Sequence, residues 1–307
     1  YGYDIEIAKN INAVPGQYFL SGNPTAAEMT ARGTALGVAQ ANPFRNLAGF
    51  EGTNHFTAAT LGRSTFLRPL PMFGDITTTV NDGKSYYHAA QFSLQKRFVD
   101  GYTFGAAYTW SKWLQATEYL NAFDELPTKM ISDQDAPHRL SISGIYELPF
   151  GKGKKLFSDG DVLDRFVGGW QLQGVYQFQI GFPIRFANDL FYTGAKVSLD
   201  GSERKSERWF NTSAFLTTSP SNHVRTLPFY FADVRRDNIN NVDLSLLKNT
   251  RINEKMRIQF KLDFINALNE PYAAAPVTAL GGTFGQITAS NQDNYARRIQ
   301  YGIKFLF

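Results

Sequence analysis

Apolar and polar side chains alternate along most of the chain, and the period is two. In Arg298 to Phe307, Ile299, Tyr301, Ile303, Phe305 and Phe307 are separated by Arg298, Gln300, Gly302 and Lys304. Met256, Ile258, Phe260, Leu262 and Phe264 alternate with Arg257, Gln259, Lys261 and Asp263. Trp170, Leu172, Tyr176, Phe178 and Ile180 alternate with Gln171, Gln173, Gln177 and Gln179. Leu140, Ile142, Tyr146 and Leu148 alternate with Arg139, Ser141, Ser143 and Glu147. The same reading fits Phe92 to Phe98, Tyr102 to Trp110 and Val242 to Leu246. Successive side chains of a strand point to opposite faces, so each segment predicts a strand with one greasy and one wet face.

The predicted strands are 1–7, 84–99, 102–114, 137–148, 168–186, 237–248, 255–267 and 296–307. Most run roughly 10 to 14 residues, against a usual 5 to 6, and that length suits a tilted membrane crossing. A soluble sandwich would bury the apolar face between two sheets. A transmembrane barrel turns it to lipid and leaves the polar face on a lumen. Bulky Gln, Arg and Lys on the polar side and aromatics gathered at strand ends favour the barrel. The connections decide between the two. Asp100-Gly101 reads as a tight hairpin and 249–254 is short, whereas 8–83, 115–136, 187–236 and 268–295 are long. Short turns on one side and long loops on the other are the barrel's habit. The link 149–167 is intermediate. The expected fold is therefore all-β: an antiparallel transmembrane β-barrel segment of about eight long strands, forming a single domain over 1–307.

Composition narrows the function classes. The chain has 307 residues, with Lys+Arg 31 against Asp+Glu 27. Charged residues are 19%, below the usual share of about 25%. Aromatics reach 15%. Cys is 0, which excludes disulfide scaffolds, cysteine-held zinc and cysteine nucleophiles. No run approaches the roughly 18 to 20 apolar residues of a spanning helix. The small positive excess is not gathered into a basic stripe, so no nucleic-acid partner is expected. No enzyme signature is present, and no cofactor is called for. Tyr1-Gly2-Tyr3-Asp4-Ile5 has neither a basic n-region nor an apolar h-region, and it starts in mid-pattern; a piece of a longer precursor is the expectation.

Four groups of residues are candidates for function. Arg97, Glu147, Asp243, Arg257, Lys261, Asp263, Arg298 and Lys304 are expected to project into the lumen, for plug docking, substrate passage or mutual pairing. Asp133, Asp135, His138 and Arg139 are expected as a rim network at the outer end of one strand; one histidine and two carboxylates make a weak metal set. Phe191, Tyr192, Trp209, Phe210 and Tyr230 lie in the long loop 187–236. They are expected either as exposed ligand-contacting aromatics or as side chains folded inward to close the barrel mouth. Asn81-Asp82-Gly83 and Asp200-Gly201-Ser202-Glu203 lack the ligand spacing of a calcium loop and read as turns.

Several motifs then point to one family. YYHAAQFSLQKRFVDGYTFGAAYTWSKWL from Tyr86 and SDQDAPHRLSISGIYELPFGKGKK from Ser132 resemble the barrel segments of Oar-like TonB-dependent receptors of Gram-negative outer membranes. GGWQLQGVYQFQIGFPI, NVDLSLLKN and FKLDFINALNEPY follow in that family's order. RRIQYGIKFLF resembles the terminal β-signal, so Tyr301, Ile303, Phe305 and Phe307 would be read by the barrel assembly machinery. The resemblance covers roughly 67–307. It implies a barrel of 22 strands of which this chain is the C-terminal part. It also implies energised uptake of an unidentified ligand, and as partners the N-terminal barrel half, its plug, TonB acting through that plug, and outer-membrane lipid. The alternatives are an adhesive or structural outer-membrane protein and a self-contained eight-stranded barrel.

Overall fold

In the computed structural model, the described residues are 1–151, 153–156, 166–187, 190–191, 193–216, 222–289 and 293–307. One large antiparallel sheet dominates. Its strands are β1 (Gly2–Asn10), β4 (Thr77–Val99), β5 (Tyr102–Ala116), β7 (His138–Glu147), β8 (Trp170–Gln179), β11 (Ile239–Arg251), β12 (Arg257–Ile265) and β13 (Arg298–Leu306). They lie in that order, each beside its sequence neighbour, and the short β6 (Met130–Ile131) adds to β5. Two small ribbons lie apart: β2 (Ala39–Ala41) with β3 (Thr60–Gly62), and β9 (Pro183–Arg185) with β10 (Tyr230–Arg235). Three short helices, α1 (Ala26–Gly37), α2 (Asn54–Thr57) and α3 (Arg63–Phe66), sit between β1 and β4. Among the described residues β1 and β13 pair on one side only, so the sheet is open.

The pairing register sorts the side chains into two faces without exception from Lys84 to Lys96 of β4 and along β5, β7, β8, β11, β12 and β13. One line of opposed residues reads Phe104, Gly144, Gly174, Leu244, Phe264, Ile299. Its neighbour reads Gly105, Ser143, Val175, Asp243. Phe92, Leu94, Trp110, Tyr301, Ile303 and Phe305 share the apolar face and are 60% or more exposed. A row of aromatics and leucines left this open needs an apolar solvent. Every carboxylate in these paired segments, Glu147, Asp243 and Asp263, lies on the other face, with Gln171, Gln173, Gln177 and Gln179. Carboxylates are thus confined to the polar face, whereas cations occur on both.

The strands are tilted, and the register shows it. The residues opposed to Tyr102 run Tyr146, Leu172, Leu246, Leu262, Tyr301. Tyr102 opens β5, whereas Leu262 stands well inside β12, which begins at Arg257. A line perpendicular to the strands thus climbs away from the short turns, as closure of a barrel requires. The connections segregate as expected. The links 100–101, 148–169 and 252–256 leave the sheet at one end, and 11–76, 117–137, 180–238 and 266–297 at the other. Asp100 and Gly101 both have positive φ, 57° and 85°, the type I′ geometry that matches strand twist.

Two local expectations are corrected, and the long loop 8–83 proves to hold a helix. Asn81-Asp82-Gly83 is not a turn but part of β4, where register shifts against β1 absorb the irregularity. Gly83 is needed there because a Cβ would fall 2.7 Å from the Ile5 carbonyl oxygen. The predicted strand 168–186 breaks after Gln179, because Gly181 packs against the Arg236 backbone and Pro183 begins a separate ribbon. The proline-rich loop 8–83 contains a three-turn helix, α1. Thr25 caps it, accepting from the Glu28 amide at 3.3 Å while the Glu28 carboxylate accepts from the Thr25 amide at 2.7 Å.

The face assignment yields a test. Leu262 sits on the apolar face near the middle of β12, and Lys261 on the polar one. Leu262→Arg is expected to cost about 2 to 4 kcal/mol in a bilayer refolding equilibrium. Lys261→Arg is expected to cost close to nothing. Equal costs would show that the faces are reversed or equivalent.

Candidate functional site

The polar face and the folded mass at the long-loop end hold most of the residues that the sequence singles out. The polar face carries charges of both signs and has small residues at its centre. Gly105, Ser143, Val175 and Gln173 stand together with Asp243 and Ser245 around a depression of about 390 Å³. Nearer the long loops, Thr109, Arg139, Ser141, Gln177 and Gln179 line a second depression of about 460 Å³. Arg139 Nε donates to Gln179 Oε1 at 2.7 Å, which holds the guanidinium flat on the wall. The strands dictate this arrangement, since glutamines two apart on β8 share a face.

The expected lumenal charges all belong to strands of this sheet or to their ends, but they do not form one site. Lys261 Nζ lies 3.0 Å from Asp263, which also accepts from Ser245 Oγ. Glu147 accepts from Lys154 at 2.7 Å at the short-turn end. Asp243 accepts the Asn266 amide at 2.8 Å and so fastens the chain where β12 ends. The Arg298 guanidinium stacks 3.6 Å from the Tyr295 ring centroid. Arg257 and Lys304 occupy polar-face positions on β12 and β13, and Arg97 lies in the irregular step of β4 before the hairpin. Tyr301, Ile303 and Phe305 face the apolar side, and Phe307 is almost fully exposed.

The four expected rim residues are split up. His138 Nδ1 is 2.8 Å from the Tyr108 hydroxyl on the apolar face, Arg139 bonds Gln179, and Asp133 meets its neighbours Ser132 and Gln134. Alternation along β7 forces His138 and Arg139 onto opposite faces. Asp135 alone is buried, at 1% exposed, and its partner is Arg235, a hundred residues away. Arg235 Nη2 donates to Asp135 Oδ2 at 2.6 Å, and Nη1 donates to the Asp135 and Gly181 carbonyls. Asp135 Oδ1 accepts the Trp113 amide at 2.6 Å. This knot ties the 180–238 connection to β5 and the loop before β7.

The aromatic candidates prove to be core. Phe210 is 0% exposed, and Phe191, Trp209 and Tyr230 are all buried; Tyr192 lies outside the described residues. Phe186, Phe210, Phe215 and Phe284 pack ring to ring at 5.1 to 5.7 Å. The expectation of exposed ligand-contacting aromatics is thus corrected for these four. A long connection that leaves the sheet needs a hydrophobic centre of its own, and phenylalanines supply it.

Sequence reading missed the arginines that hold this cap. Arg185 makes a bidentate pair with Glu118, at 2.8 and 2.6 Å, and lies over the Phe229 and Tyr230 rings. The Glu118 hydrogen bonds, chiefly, hold its guanidinium protonated beyond the ordinary arginine range. Arg225 reaches the Leu227, Ala187 and Leu190 carbonyls. On the far side, buried Asn12 donates to the Leu70, Phe73 and Gly74 carbonyls and clamps the 11–76 connection. Burial, and then the hydrogen bond to Asp82, pushes the Tyr119 hydroxyl up to about 12. Arginine near aromatics was the available sequence signal, but it does not name a distant carboxylate.

Removing one partner of a buried pair strands the other charge, at about 3 to 5 kcal/mol. Arg235→Ala is therefore expected to loosen the cap. Limited proteolysis of intact cells should then cut within 180–238 while the sheet keeps its heat resistance. Unchanged protection would show that the pair is dispensable.

The chain was compared with known proteins. The model of the outer membrane beta barrel domain family matches residues 2–300. A comparison with curated proteins found no match. Among solved structures the chain is similar to the outer membrane transporter YddB from Escherichia coli, at 12% identity and a TM-score of 0.37. The similarity covers 76% of this chain and 26% of that one, so the chain spans about a quarter of that transporter's length. Ordered strands, segregated turns and the two-faced register agree with the family match, and this chain belongs to the outer membrane beta barrel domain family, whose place is the Gram-negative outer membrane.

Proposed function

We propose that this chain forms the C-terminal wall of a TonB-dependent receptor that takes up a ligand across the outer membrane. The observation that carries the reading is the sheet: eight tilted strands, a polar face unbroken from β4 to β13 and, among the described residues, two unpaired edges. Each unpaired backbone group in lipid costs several kcal/mol, so further strands would continue the sheet at both edges into a wider barrel. A wide barrel has a lumen, and the uncharged patch of Gln171, Gln173, Gln177, Gln179, Asn241 and Ser245 on its wall is suited to hold a plug through exchangeable hydrogen bonds. The resemblance of its motifs to Oar-like receptors supports that receptor class and a parent of 22 strands. In this reading the cap over the long-loop end shapes the entrance. TonB would act on the plug, and the assembly machinery would read the terminal Tyr301, Ile303, Phe305 and Phe307.

The chain has no cysteine, which allows a clean test. Gln173→Cys places a thiol on the polar wall, in the full-length protein in living cells. If an energised plug covers the wall, labelling by a membrane-impermeant maleimide should fall when a protonophore collapses the proton gradient. Tyr301→Cys on the lipid face should stay unlabelled throughout. Labelling of the Gln173→Cys variant that ignores the gradient would overturn uptake and favour a static, adhesive barrel.

A further inference from the structure

We propose that the lipid face carries a seat for one anionic phospholipid of the inner leaflet, with its acyl chain in a hollow of β5, β7, β8 and β11 and its phosphate at Lys96. The proposal rests on membership of the outer-membrane family and does not depend on transport.

The hollow comes from two glycines that face each other. Gly144 of β7 and Gly174 of β8 are opposed in register, flanked in the same line by Phe104 and Leu244. Larger side chains, Ile142, Tyr146, Leu172 and Tyr176, stand above and below them. The result is a shallow apolar depression of about 590 Å³ on a face otherwise studded with large side chains. Three strand spacings separate Phe104 from Leu244, about 14 Å. Because the strands tilt, this line does not run level. Phe104 lies just above the Asp100-Gly101 turn, whereas Leu244 stands seven residues before the end of β11 at Arg251. The hollow therefore slants from the short-turn rim toward the middle of the bilayer, the path of an acyl chain from its headgroup inward. Short turns are periplasmic, so the leaflet is the inner one.

Charge marks the rim end. Lys96 is opposed to Phe104, and its ammonium lies 3.5 Å from the centroid of the Tyr102 ring, which itself lines the hollow. Among the described residues no carboxylate is within ion-pair distance of Lys96. No Asp or Glu occupies a lipid-face position in the unbroken register, so no acidic group on this face competes with a lipid phosphate. A lysine near a membrane surface favours anionic over zwitterionic lipid.

The test uses the full-length protein in vesicles of neutral lipid doped with one of two probes. The probes are phosphatidylglycerol and phosphatidylcholine, each with a photoactivatable group on one acyl chain. Cross-links to β7 and β8 peptides should be about fivefold more frequent with the phosphatidylglycerol probe. Lys96→Gln should equalise the two headgroups while chain labelling persists. Gly174→Leu should fill the hollow and lower labelling there for both probes, leaving labelling of β12 and β13 unchanged. A Cβ at Gly174 would stand 3.1 Å from the movable end of Leu244, so the substitution has room to adjust. Should that variant fail to assemble, the headgroup preference and Lys96→Gln decide by themselves. Equal labelling by the two probes in the unaltered protein, or a preference that Lys96→Gln leaves intact, would reduce the hollow to ordinary bilayer contact and overturn the proposal.

Discussion

Backbone hydrogen bonds in a solvent that offers none are the constraint from which this structure follows. In lipid, each amide and carbonyl must find a partner along the sheet. The pairing from β4 to β13 therefore runs in long, regular ladders, and irregular steps are confined to the first strand and to the hairpin end of β4. Regular pairing in turn fixes the side chains. Once one residue faces lipid, its opposed neighbours on every strand do so too, and a slip of one residue would turn Phe264 and Ile299 inward and Asp263 and Gln300 outward. Register, polarity and orientation are thus a single decision made many times over.

That is why the barrel was legible in the sequence and the cap was not. Alternation over Arg257 to Ile265 or Arg298 to Leu306 is dictated by the two solvents on either side of one strand, and it needs no other part of the chain to be read. Phe210 carries no such mark. Its partners Phe186, Phe215 and Phe284 come from segments far apart in sequence, and a buried loop aromatic looks like an exposed one until those segments meet. The pair of Asp135 and Arg235 has the same character. Asp135 could be singled out as a carboxylate near a strand end, but its partner lies beyond any local pattern. Where a local signal existed it held: Asp100-Gly101 gave the hairpin. The Thr25 to Glu28 capping box went unread, because the prolines on either side of it argue against regular structure.

The two ends of the sheet meet different needs. At the short-turn end the links 100–101 and 252–256 only reverse the chain. At the long-loop end the connections bury their own core and are pinned by arginine. Arg185, Arg225 and Arg235 each satisfy carbonyls or a carboxylate that a loop cannot satisfy by itself, and their planar guanidinium groups also lie on aromatic rings where rings are near. Buried backbone in loops is costly unless it is paired. Among the described residues the cap is thus pinned at these arginines, and its aromatic rings are packed against one another rather than presented to the outside.

Carboxylates, unlike cations, are confined to one face, and this sets what each face can recognise. The polar wall holds both signs, and its carboxylates are answered locally: Asp263 by Lys261, Glu147 by Lys154 and Asp243 by a backbone amide. Its cations, Arg139, Arg251, Arg257, Lys261, Arg298 and Lys304, outnumber those three carboxylates, so the wall keeps a positive excess beside its hydrogen-bonding glutamines. On the lipid face the basic side chains of the unbroken register are Lys84, His88, Lys96, Lys112, His138 and Lys248, and no carboxylate stands with them. Lys84 and Lys96 stand twelve residues apart on β4, about 40 Å along the strand and about 30 Å after a barrel's tilt. That projection is close to the thickness of a bilayer's hydrocarbon core, about 30 Å. One strand therefore places a cation at each boundary of the membrane, and between them Tyr86, Phe92 and Leu94 meet the hydrocarbon.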